Sequence, residues 1–390
     1  MFKKVITLFV LVAALSLFFA GVAFAQEPTG DFETVRSAIE EWLATGPKPV
    51  TTVDAVFENL NDGDTSNDPV IVSVRAPDAY ELGHVPGAIN IPWKTIAKPE
   101  SLAQLPTDQP IVDYCYTGHT GQVAMTALNL MGYDATNMKF GIMAWTKNDD
   151  VLATARFDPA AVPDYAVETE ANEPAETYDF PALDTGASGA DEVIRTAVDN
   201  YLSSDKGPTI SPEALFENLN DGDESNDPVV LSVRSPEHYA IGHIPGAINI
   251  PWTELADPDN LAKLPPDKQI VVYCYTGHTG QVATTLLNVL GYDAVNLKWG
   301  MMNWSKDPDV VATTAFDPAT QADYAIEGSL ADAAPAMEEQ EADTEEMAAE
   351  ETTEEAPQTL PESGGAAFTW IYLLLGSGLL GSGAYILRRK

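Results

Sequence analysis

The chain has 390 residues and 45% of them are hydrophobic, which is enough for two ordinary domains with sizeable cores. Its formal net charge of −39 at pH 7 argues against nucleic acid and anionic membrane surfaces as partners, because like charges repel.

The first predicted element is an export signal at residues 1–25. A basic start, MFKK, precedes an apolar run at 5–20 and the small-residue site Ala23-Phe24-Ala25. Cleavage there would leave Gln26 first, and the lack of a cysteine after the site argues against a lipoprotein. An uncleaved membrane anchor is the alternative, which the small residues at the cleavage position disfavour.

An internal repeat occupies most of the chain. Residues 57–145 align with 216–304 without a gap, at a constant offset of 159, and 60 of the 89 aligned positions are identical. A unit of this length is a domain rather than a solenoid repeat. The sequence therefore predicts one domain at 26–170 and a second at 171–331.

Within each unit, strand and helix signals alternate. In the first unit they predict a helix at 35–43, short strands at 70–74, 89–91 and 110–114, and a helix from Gly121 to Gly132. This alternation predicts an α/β fold, a doubly wound parallel sheet with helices on both faces. Cys115 would then lie at the carboxyl end of a strand, where such folds place their ligands.

The two cysteines of the chain, Cys115 and Cys274, lie in identical loops of sequence YCYTGHTG. A disulfide would have to join the same point of two repeated domains, so one reactive thiol per domain is predicted. A loop between a strand and a helix can turn its N–H groups inward and favour a thiolate. The alternative is a buried structural cysteine. The predicted substrate-binding residues are Tyr116, Thr117, Gly118, His119, Thr120 and Gly121, with Tyr275, Thr276, Gly277, His278, Thr279 and Gly280.

Three motifs occur in order in both units: SVRAPDAYELGHVPGAINIPW, IVDYCYTGHTGQVA and GYDATNMKFGIMAW in the first. Together they resemble the rhodanese-like superfamily over roughly 290 of the 390 residues. The resemblance implies a sulfurtransferase in which Cys115 and Cys274 carry a persulfide. It also implies a small sulfane-sulfur donor and a thiol acceptor as partners. We expect no cofactor and no metal.

The chain departs from the family pattern in two places. Ser73-Val74-Arg75 stands where the family usually has Asp-x-Arg, and the cysteine loop contains no basic residue except His119. The histidine could act as a general acid, as an anion donor or as a loop surface residue. The second departure argues against thiosulfate, a dianion, as the physiological donor.

Four further residues are predicted to support the site through structural contacts. A buried arginine must be satisfied by carboxylate or carbonyl groups, and the histidines of Gly-His-x-Pro-Gly-Ala are typical of a fixed turn. An acidic loop at 62–68 could bind calcium. Counted from Asp62, however, the twelfth residue is Ser73, where an EF-hand loop has a glutamate, so a solvated turn is favoured. The four supporting residues are Arg75, His84, Arg234 and His243.

The C-terminal region predicts anchoring at the cell surface. An acidic spacer at 332–359 is too poor in aromatic residues to fold. Residues 360–390 contain LPESG, an apolar span at 366–387 and a basic tail, a pattern that resembles an LPxTG-like sorting signal. The two open readings are attachment to the envelope by a sortase and a permanent transmembrane helix in the membrane.

The sequence thus predicts an exported sulfurtransferase whose domains lie outside the cytoplasmic membrane. Two alternatives remain open at this point: a carrier that binds sulfane sulfur without turnover, and a surface interaction module. Turnover with a sulfur donor would distinguish the enzyme from the carrier.

Overall fold

The computed structural model describes residues 30–174 and 176–331, and both repeats belong to one compact unit. The predicted signal peptide (1–25), acidic spacer (332–359) and C-terminal sorting signal with its span (360–390) lie outside the described residues. Among the residues described, no helix is both long and apolar enough to cross a membrane.

Each repeat contains a five-stranded sheet in which all strand pairings are parallel, as predicted. In repeat 1 the spatial order is β1-β5-β4-β2-β3, and in repeat 2 it is β6-β10-β9-β7-β8. The strands of repeat 1 are β1 (Val50–Thr51), β2 (Val70–Ser73), β3 (Ile89–Asn90), β4 (Ile111–Tyr114) and β5 (Ala135–Met138). Those of repeat 2 are β6 (Thr209–Ile210), β7 (Val229–Ser232), β8 (Ile248–Asn249), β9 (Ile270–Tyr273) and β10 (Ala294–Leu297).

Helices cover both faces of each sheet. Several begin where the sequence supplies a cap or a proline: Thr52 Oγ1 accepts a hydrogen bond from the N–H of Ala55 at 3.1 Å, for example. The helices of repeat 1 are α1 (Asp31–Ala44), α2 (Val53–Leu60), α3 (Pro77–Leu82), α4 (Pro99–Leu102), α5 (His119–Leu130) and α6 (Gly141–Trp145). Those of repeat 2 are α7 (Ala190–Leu202), α8 (Pro212–Leu219), α9 (Pro236–Ile241), α10 (Pro258–Leu261), α11 (His278–Val289) and α12 (Pro308–Val311).

One hydrophobic core runs through both repeats. The helices that follow the two cysteines, α5 and α11, pack against each other, and α1 packs against α7. Buried residues of all four helices join a single cluster, including Val123 and Met125 of α5 and Val282 and Leu286 of α11. Because α5 and α11 both start at a cysteine loop, this packing brings the two loops to the same interface.

The segment 164–168, which we name arm 1, lies at the C-terminal end of repeat 1 but packs on repeat 2. The ring of Tyr165 stacks on that of Phe216 with centroids 4.0 Å apart, and its N–H donates to the carbonyl of Trp304 at 2.9 Å. Glu168 and His243 exchange two backbone hydrogen bonds of 2.9 Å. Repeat 2 is therefore completed by a strand-like segment of the other repeat.

The segment 323–327, arm 2, makes the reciprocal contacts on repeat 1. The ring of Tyr324 stacks on Phe57 at 3.9 Å, and its N–H donates to the carbonyl of Trp145 at 2.9 Å. His84 and Glu327 form the matching pair of backbone bonds, at 2.7 and 2.9 Å. The two repeats thus exchange their C-terminal arms.

The connection between the repeats also packs on folded structure. The N–H of Tyr178 donates to the carbonyl of Ala262 at 2.8 Å, and the ring of Phe180 stacks on Phe32 at 5.1 Å. Further along, the N–H of Thr185 donates to the Asp31 carboxylate at 2.7 Å. The connection therefore fastens α1 of repeat 1 to repeat 2.

Candidate active site: the paired cysteine loops

Cys115 follows the last residue of β4 and lies in a short loop that leads into α5. Gly118, directly before the helix, has φ 90°, a left-handed conformation that glycine adopts without a steric cost. This turn aims the N–H of Gly118 at the sulfur of Cys115, with N and Sγ 3.1 Å apart. A donor in this position stabilises negative charge on the sulfur.

The turn after β5 donates two backbone hydrogen bonds to the Cys115 loop. The N–H of Ile142 donates to the carbonyl of Cys115, and that of Met143 to the carbonyl of Tyr116, both at 3.0 Å. Gly141 approaches so closely that a Cβ there would lie 2.4 Å from the Cys115 carbonyl oxygen. The loop and this turn therefore form one rigid backbone unit.

Repeat 2 reproduces this arrangement around Cys274. Gly277 has φ 85° and donates its N–H to Sγ of Cys274 at 3.1 Å. Met301 and Met302 donate to the carbonyls of Cys274 and Tyr275, both at 2.9 Å. Both repeats therefore keep the N–H donor to sulfur, the glycine with positive φ and the turn that binds the loop carbonyls, so the two cysteine loops have the same geometry.

Both sulfur atoms belong to free thiols that are enclosed by their surroundings. Cys115 is 2% exposed and Cys274 is 1% exposed, and neither forms a disulfide. Because the thiols are enclosed, only small reagents can reach them, and each thiol is protected from oxidation.

The tyrosine after each cysteine lies beside a buried arginine. The Arg75 guanidinium is 5.5 Å from the centre of the Tyr116 ring, and Arg234 is 5.8 Å from that of Tyr275. In repeat 2 the Tyr275 hydroxyl also hydrogen-bonds Nδ1 of His238 at 2.7 Å. Ala79 occupies the place of that histidine in repeat 1, so the two sites differ here.

The remaining predicted loop residues lie on the first turns of α5 and α11. Thr120 and Thr279 are half-buried on the first turns of α5 and α11. Gly121 packs against Asn137, whose Nδ2 would lie 2.0 Å from a Cβ at this position. Gly280 packs in the same way against Asn296, and its own Cβ would lie 3.5 Å from Sγ of Cys274. These glycines let the helix approach the sheet closely.

The loop histidines reach into the opposite repeat. Nε2 of His119 accepts a hydrogen bond from the N–H of Trp299 at 3.2 Å, and Nε2 of His278 accepts one from the N–H of Phe140 at 3.1 Å. The two imidazole rings are 6.0 Å apart. Within its own loop, Nδ1 of His119 hydrogen-bonds Oγ1 of Thr117 at 3.1 Å.

Both histidines are held in the neutral form. Burial, assisted by the positive charge of Lys298, lowers the pKa of His119 to about 3. Burial, with His119 and Lys139, lowers the pKa of His278 well below its usual value. Since Nε2 of each ring accepts a hydrogen bond, the proton is on Nδ1, which donates to Thr117 or Thr276. A buried neutral ring fixed in this tautomer is a poor proton donor to the neighbouring sulfur.

The predicted supporting residues make structural contacts. Arg75 donates to the carbonyls of Gly83 at 2.6 Å and Val151 at 3.2 Å, and Arg234 donates to the equivalent carbonyls of repeat 2. Nδ1 of both His84 and His243 lies 2.8 Å from a carbonyl one helical turn earlier. The same two histidines pair with the exchanged arms, so they join the turn to the opposite repeat.

Two residue pairs at the interface were not predicted from the sequence. Phe140 and Trp299 have φ 64° and 70°, an unfavourable conformation for aromatic residues, and each N–H meets a histidine of the other repeat. Lys139 and Lys298 directly precede them. Burial lowers the pKa of Lys139, and the nearby Cys274 of the other repeat acts in the opposite direction. The signal for both pairs is the Lys-aromatic-Gly sequence that recurs after β5 and β10.

Asn137 and Asn296 occupy equivalent positions beside the two cysteine loops but donate to different partners. Nδ2 of Asn296 donates to the carbonyl of Gly277 at 3.0 Å and so holds the Cys274 loop. Nδ2 of Asn137 instead donates to the carboxyl of Asp113 at 2.6 Å. Repeat 2 has Val272 in place of that acid.

The acidic loops form hydrogen-bonded turns. Oδ1 of Asp62 accepts from the N–H of Asp64 at 2.7 Å, and Oδ1 of Asp64 accepts from the N–H of Ser66 at 3.1 Å. Within 30–174 and 176–331, no three His, Cys, Asp or Glu side chains are grouped as metal ligands would be.

Comparison with known proteins identifies the repeated fold. The model of the rhodanese-like domain matches residues 52–148 and 211–307. A sulfurtransferase of Allochromatium vinosum is 31% identical over 98 residues, which are 25% of this chain and 87% of that protein. A thiosulfate sulfurtransferase of Azotobacter vinelandii is 30% identical over 132 residues, 28% of this chain and 46% of its own length.

A third relative is much longer than the matched region. "Probable adenylyltransferase/sulfurtransferase MoeZ" of Mycobacterium tuberculosis is 36% identical over 116 residues, which cover 29% of each chain. The likeness therefore concerns one domain and not the whole of that protein. With two matches to the domain model and a relative covered over most of its length, the chain belongs to the rhodanese-like family, with two copies of the domain in tandem.

Proposed function

We propose that the protein is a sulfurtransferase that carries sulfane sulfur as a persulfide on Cys115 and on Cys274. The observation that carries this proposal is the backbone N–H aimed at each sulfur, from Gly118 and Gly277 at 3.1 Å. This donor stabilises the thiolate before attack and the same sulfur when it leaves again. The sulfurtransferase relatives support the same chemistry.

Two displacements at sulfur make up the proposed reaction. The cysteine thiolate attacks the outer sulfur of a donor such as thiosulfate, a new S–S bond forms, and the donor's S–S bond breaks with its electron pair leaving on sulfite. An acceptor thiolate then attacks the outer sulfur of the persulfide and takes it, which returns the cysteine thiolate. No external oxidant or reductant is needed, because sulfur moves between two nucleophiles.

The proposed donor is a small sulfane-sulfur compound, since each thiol is almost completely enclosed. Lys139 directly precedes Phe140, whose N–H donates to His278 of the Cys274 loop at 3.1 Å, and a cation in this position favours an anionic donor where the loop itself has no Lys or Arg. The acceptor is proposed to be a thiol.

The test is steady-state sulfur transfer from thiosulfate or a persulfide to a thiol acceptor, with three serine variants. Cys115→Ser and Cys274→Ser should each retain about half of the native rate if the sites contribute equally, and the double variant should lose transfer to the background level. A double variant that transfers sulfur at the native rate would refute the proposal.

Burial of the two thiols favours a second candidate function, a carrier that stores sulfane sulfur and releases it only to a partner that opens the site. The same assay distinguishes the two. A carrier should bind a single equivalent of sulfur per cysteine and show no sustained turnover with small acceptors, whereas an enzyme should continue past the first equivalent.

We further propose that the protein works outside the cytoplasmic membrane, attached to the cell wall or the membrane. The composition of residues 1–25 and 360–390 supports this location, although both segments lie outside the described residues. Protease treatment of intact cells should remove the two domains. A terminus at Ser363 joined to wall material would favour a sortase, an intact Lys390 in membranes would favour a permanent anchor, and protected domains in a soluble cytoplasmic fraction would contradict the location.

A further inference from the structure

We propose that the two cysteine sites are crossed: His119 of repeat 1 is a positioning residue for Cys274, and His278 of repeat 2 is a positioning residue for Cys115. The inference rests on the proposed function, because it assigns a role to residues around the same thiols. Each histidine would position the cysteine loop of the other repeat, and this can be tested by thiol reactivity without measuring sulfur transfer.

The first observation is direct contact of each histidine with the opposite loop. Nε2 of His119 would lie 2.5 Å from a Cβ on Gly277, and Nε2 of His278 would lie 2.5 Å from a Cβ on Gly118. The imidazole therefore rests on the glycine of the other repeat. That glycine is the residue whose N–H donates to the cysteine sulfur.

The second observation is the hydrogen bond that each histidine accepts. Nε2 of His119 accepts from the N–H of Trp299 at 3.2 Å, and the turn that follows Trp299 holds the carbonyl of Cys274 through the N–H of Met301 at 2.9 Å. Trp299 is in a left-handed conformation, which persists only where its surroundings stabilise it. His119 supplies the acceptor for this buried N–H and thereby stabilises the turn behind the Cys274 loop.

The third observation is that each ring also holds its own loop. Nδ1 of His119 hydrogen-bonds Thr117 at 3.1 Å, and Nδ1 of His278 hydrogen-bonds Thr276 at 3.0 Å. One nitrogen thus serves the loop that carries the histidine, and the other serves the loop across the interface. The two functions can be separated by substitution, because they use different atoms.

Substitution of the histidine by asparagine or by glutamine separates the contact made by Nδ1 from the contact made by Nε2. The amide of asparagine reaches about as far as Nδ1, so His119→Asn should keep the bond to Thr117 and lose the contact with Trp299. The amide of glutamine reaches about as far as Nε2, so His119→Gln should keep the contact with Trp299 and lose the bond to Thr117. The mirror pair is His278→Asn and His278→Gln.

The measurement is the rate at which iodoacetamide alkylates each cysteine in the same sample, resolved by peptide mass spectrometry. His119→Asn should change the rate at Cys274 by about fivefold, the effect of one net hydrogen bond, and leave Cys115 within about twofold of native. His119→Gln should do the reverse. His278→Asn should act on Cys115, as the mirror of His119→Asn.

Other outcomes overturn the inference. If His119→Asn acts mainly on Cys115, or if both variants act equally on both cysteines in a folded protein, the histidine serves only its own site. If His119→Asn unfolds the interface and both thiols react rapidly, His119→Gln decides, since it must leave Cys274 near native. Alkylation that follows the crossed pattern in a protein that transfers no sulfur would uphold the crossing and refute the proposed function.

Discussion

Asp113 lies two residues before Cys115 in β4 and is completely buried. Burial raises the pKa of its carboxyl well above the usual value, and the hydrogen bond from Asn137 opposes this only in part. Its Oδ2 has no hydrogen-bond partner among the described residues. In repeat 2 the equivalent residue is Val272. Without an acid at this position, the side chain of Asn296 donates to the carbonyl of Gly277 in the cysteine loop.

We therefore expect Asp113→Val to stabilise the protein at neutral pH by about 1–3 kcal/mol, the usual cost of a buried polar group with an unmade hydrogen bond. A carboxyl with a raised folded pKa contributes its stability below the unfolded pKa and loses it as pH rises. The gain should therefore be smaller near about pH 4.5 than near about pH 7.5. Urea unfolding at both pH values is the measurement, with Val272→Asp as the opposite control. A loss of stability at the higher pH would contradict the interpretation.

The neutral histidines give the opposite pH dependence. The folded pKa of His119 is about 3, below its unfolded value, so its contribution is present above about pH 6.5 and is lost as pH falls. We expect the free energy of unfolding to decrease with falling pH between about 6 and 4. His119→Gln should reduce that slope by about 1.4 kcal/mol per pH unit, the limit for one group. Equal slopes for the native protein and His119→Gln would show that this histidine is protonated in the fold.

At the scale of elements, the sequence predicts much of each repeat and misses how the repeats are joined. The runs around Val72, Ile89 and Val112 predicted three strands of the sheet, because β-branched residues between turn signals are typical of buried parallel strands. The placement of Cys115 at the carboxyl end of β4 follows from the same alternation. Spacing alone could not show that His119 points to the other repeat, because that direction depends on how α5 packs against α11.

The exchanged arms could not be predicted for a related reason. Phe57 and Phe216 occupy equivalent positions, as do Trp145 and Trp304, so both repeats offer the same docking surface to both arms. Which arm occupies which surface depends on the course of the connection and not on local pattern. The burial of Asp113 could not be predicted either, because an acid within a short strand is compatible with both a buried and an exposed position.

The exchange predicts a crossed effect on stability. Tyr324→Ala should expose α2 of repeat 1, and Tyr165→Ala should expose α8 of repeat 2, because each removes an aromatic stack and its buried area. We expect a loss of about 1–3 kcal/mol in each case. Hydrogen exchange resolved by peptide is the measurement, and the two variants are controls for each other. Faster exchange in α8 on changing Tyr324 would contradict the exchanged arrangement.

At the scale of the whole molecule, two free and buried thiols lie in the loops that meet at the interface of the repeats, in a strongly acidic chain. The core runs through both repeats, the arms cross between them, and the loop histidines of each repeat contact the other. An arrangement of this kind couples the repeats, so the two cysteines are expected to act within one folded unit. Differences such as His238 beside Tyr275 still allow the two sites to differ in rate.

The most direct test of the account is mass spectrometry of the purified protein after incubation with a sulfane-sulfur donor. The prediction is one added sulfur atom on Cys115 and one on Cys274, both removed by a thiol acceptor and neither formed in the double serine variant. Each single serine variant should retain the added sulfur at its remaining cysteine. Intact cysteines that gain no sulfur under conditions in which the protein stays folded would contradict the proposal of persulfide transfer.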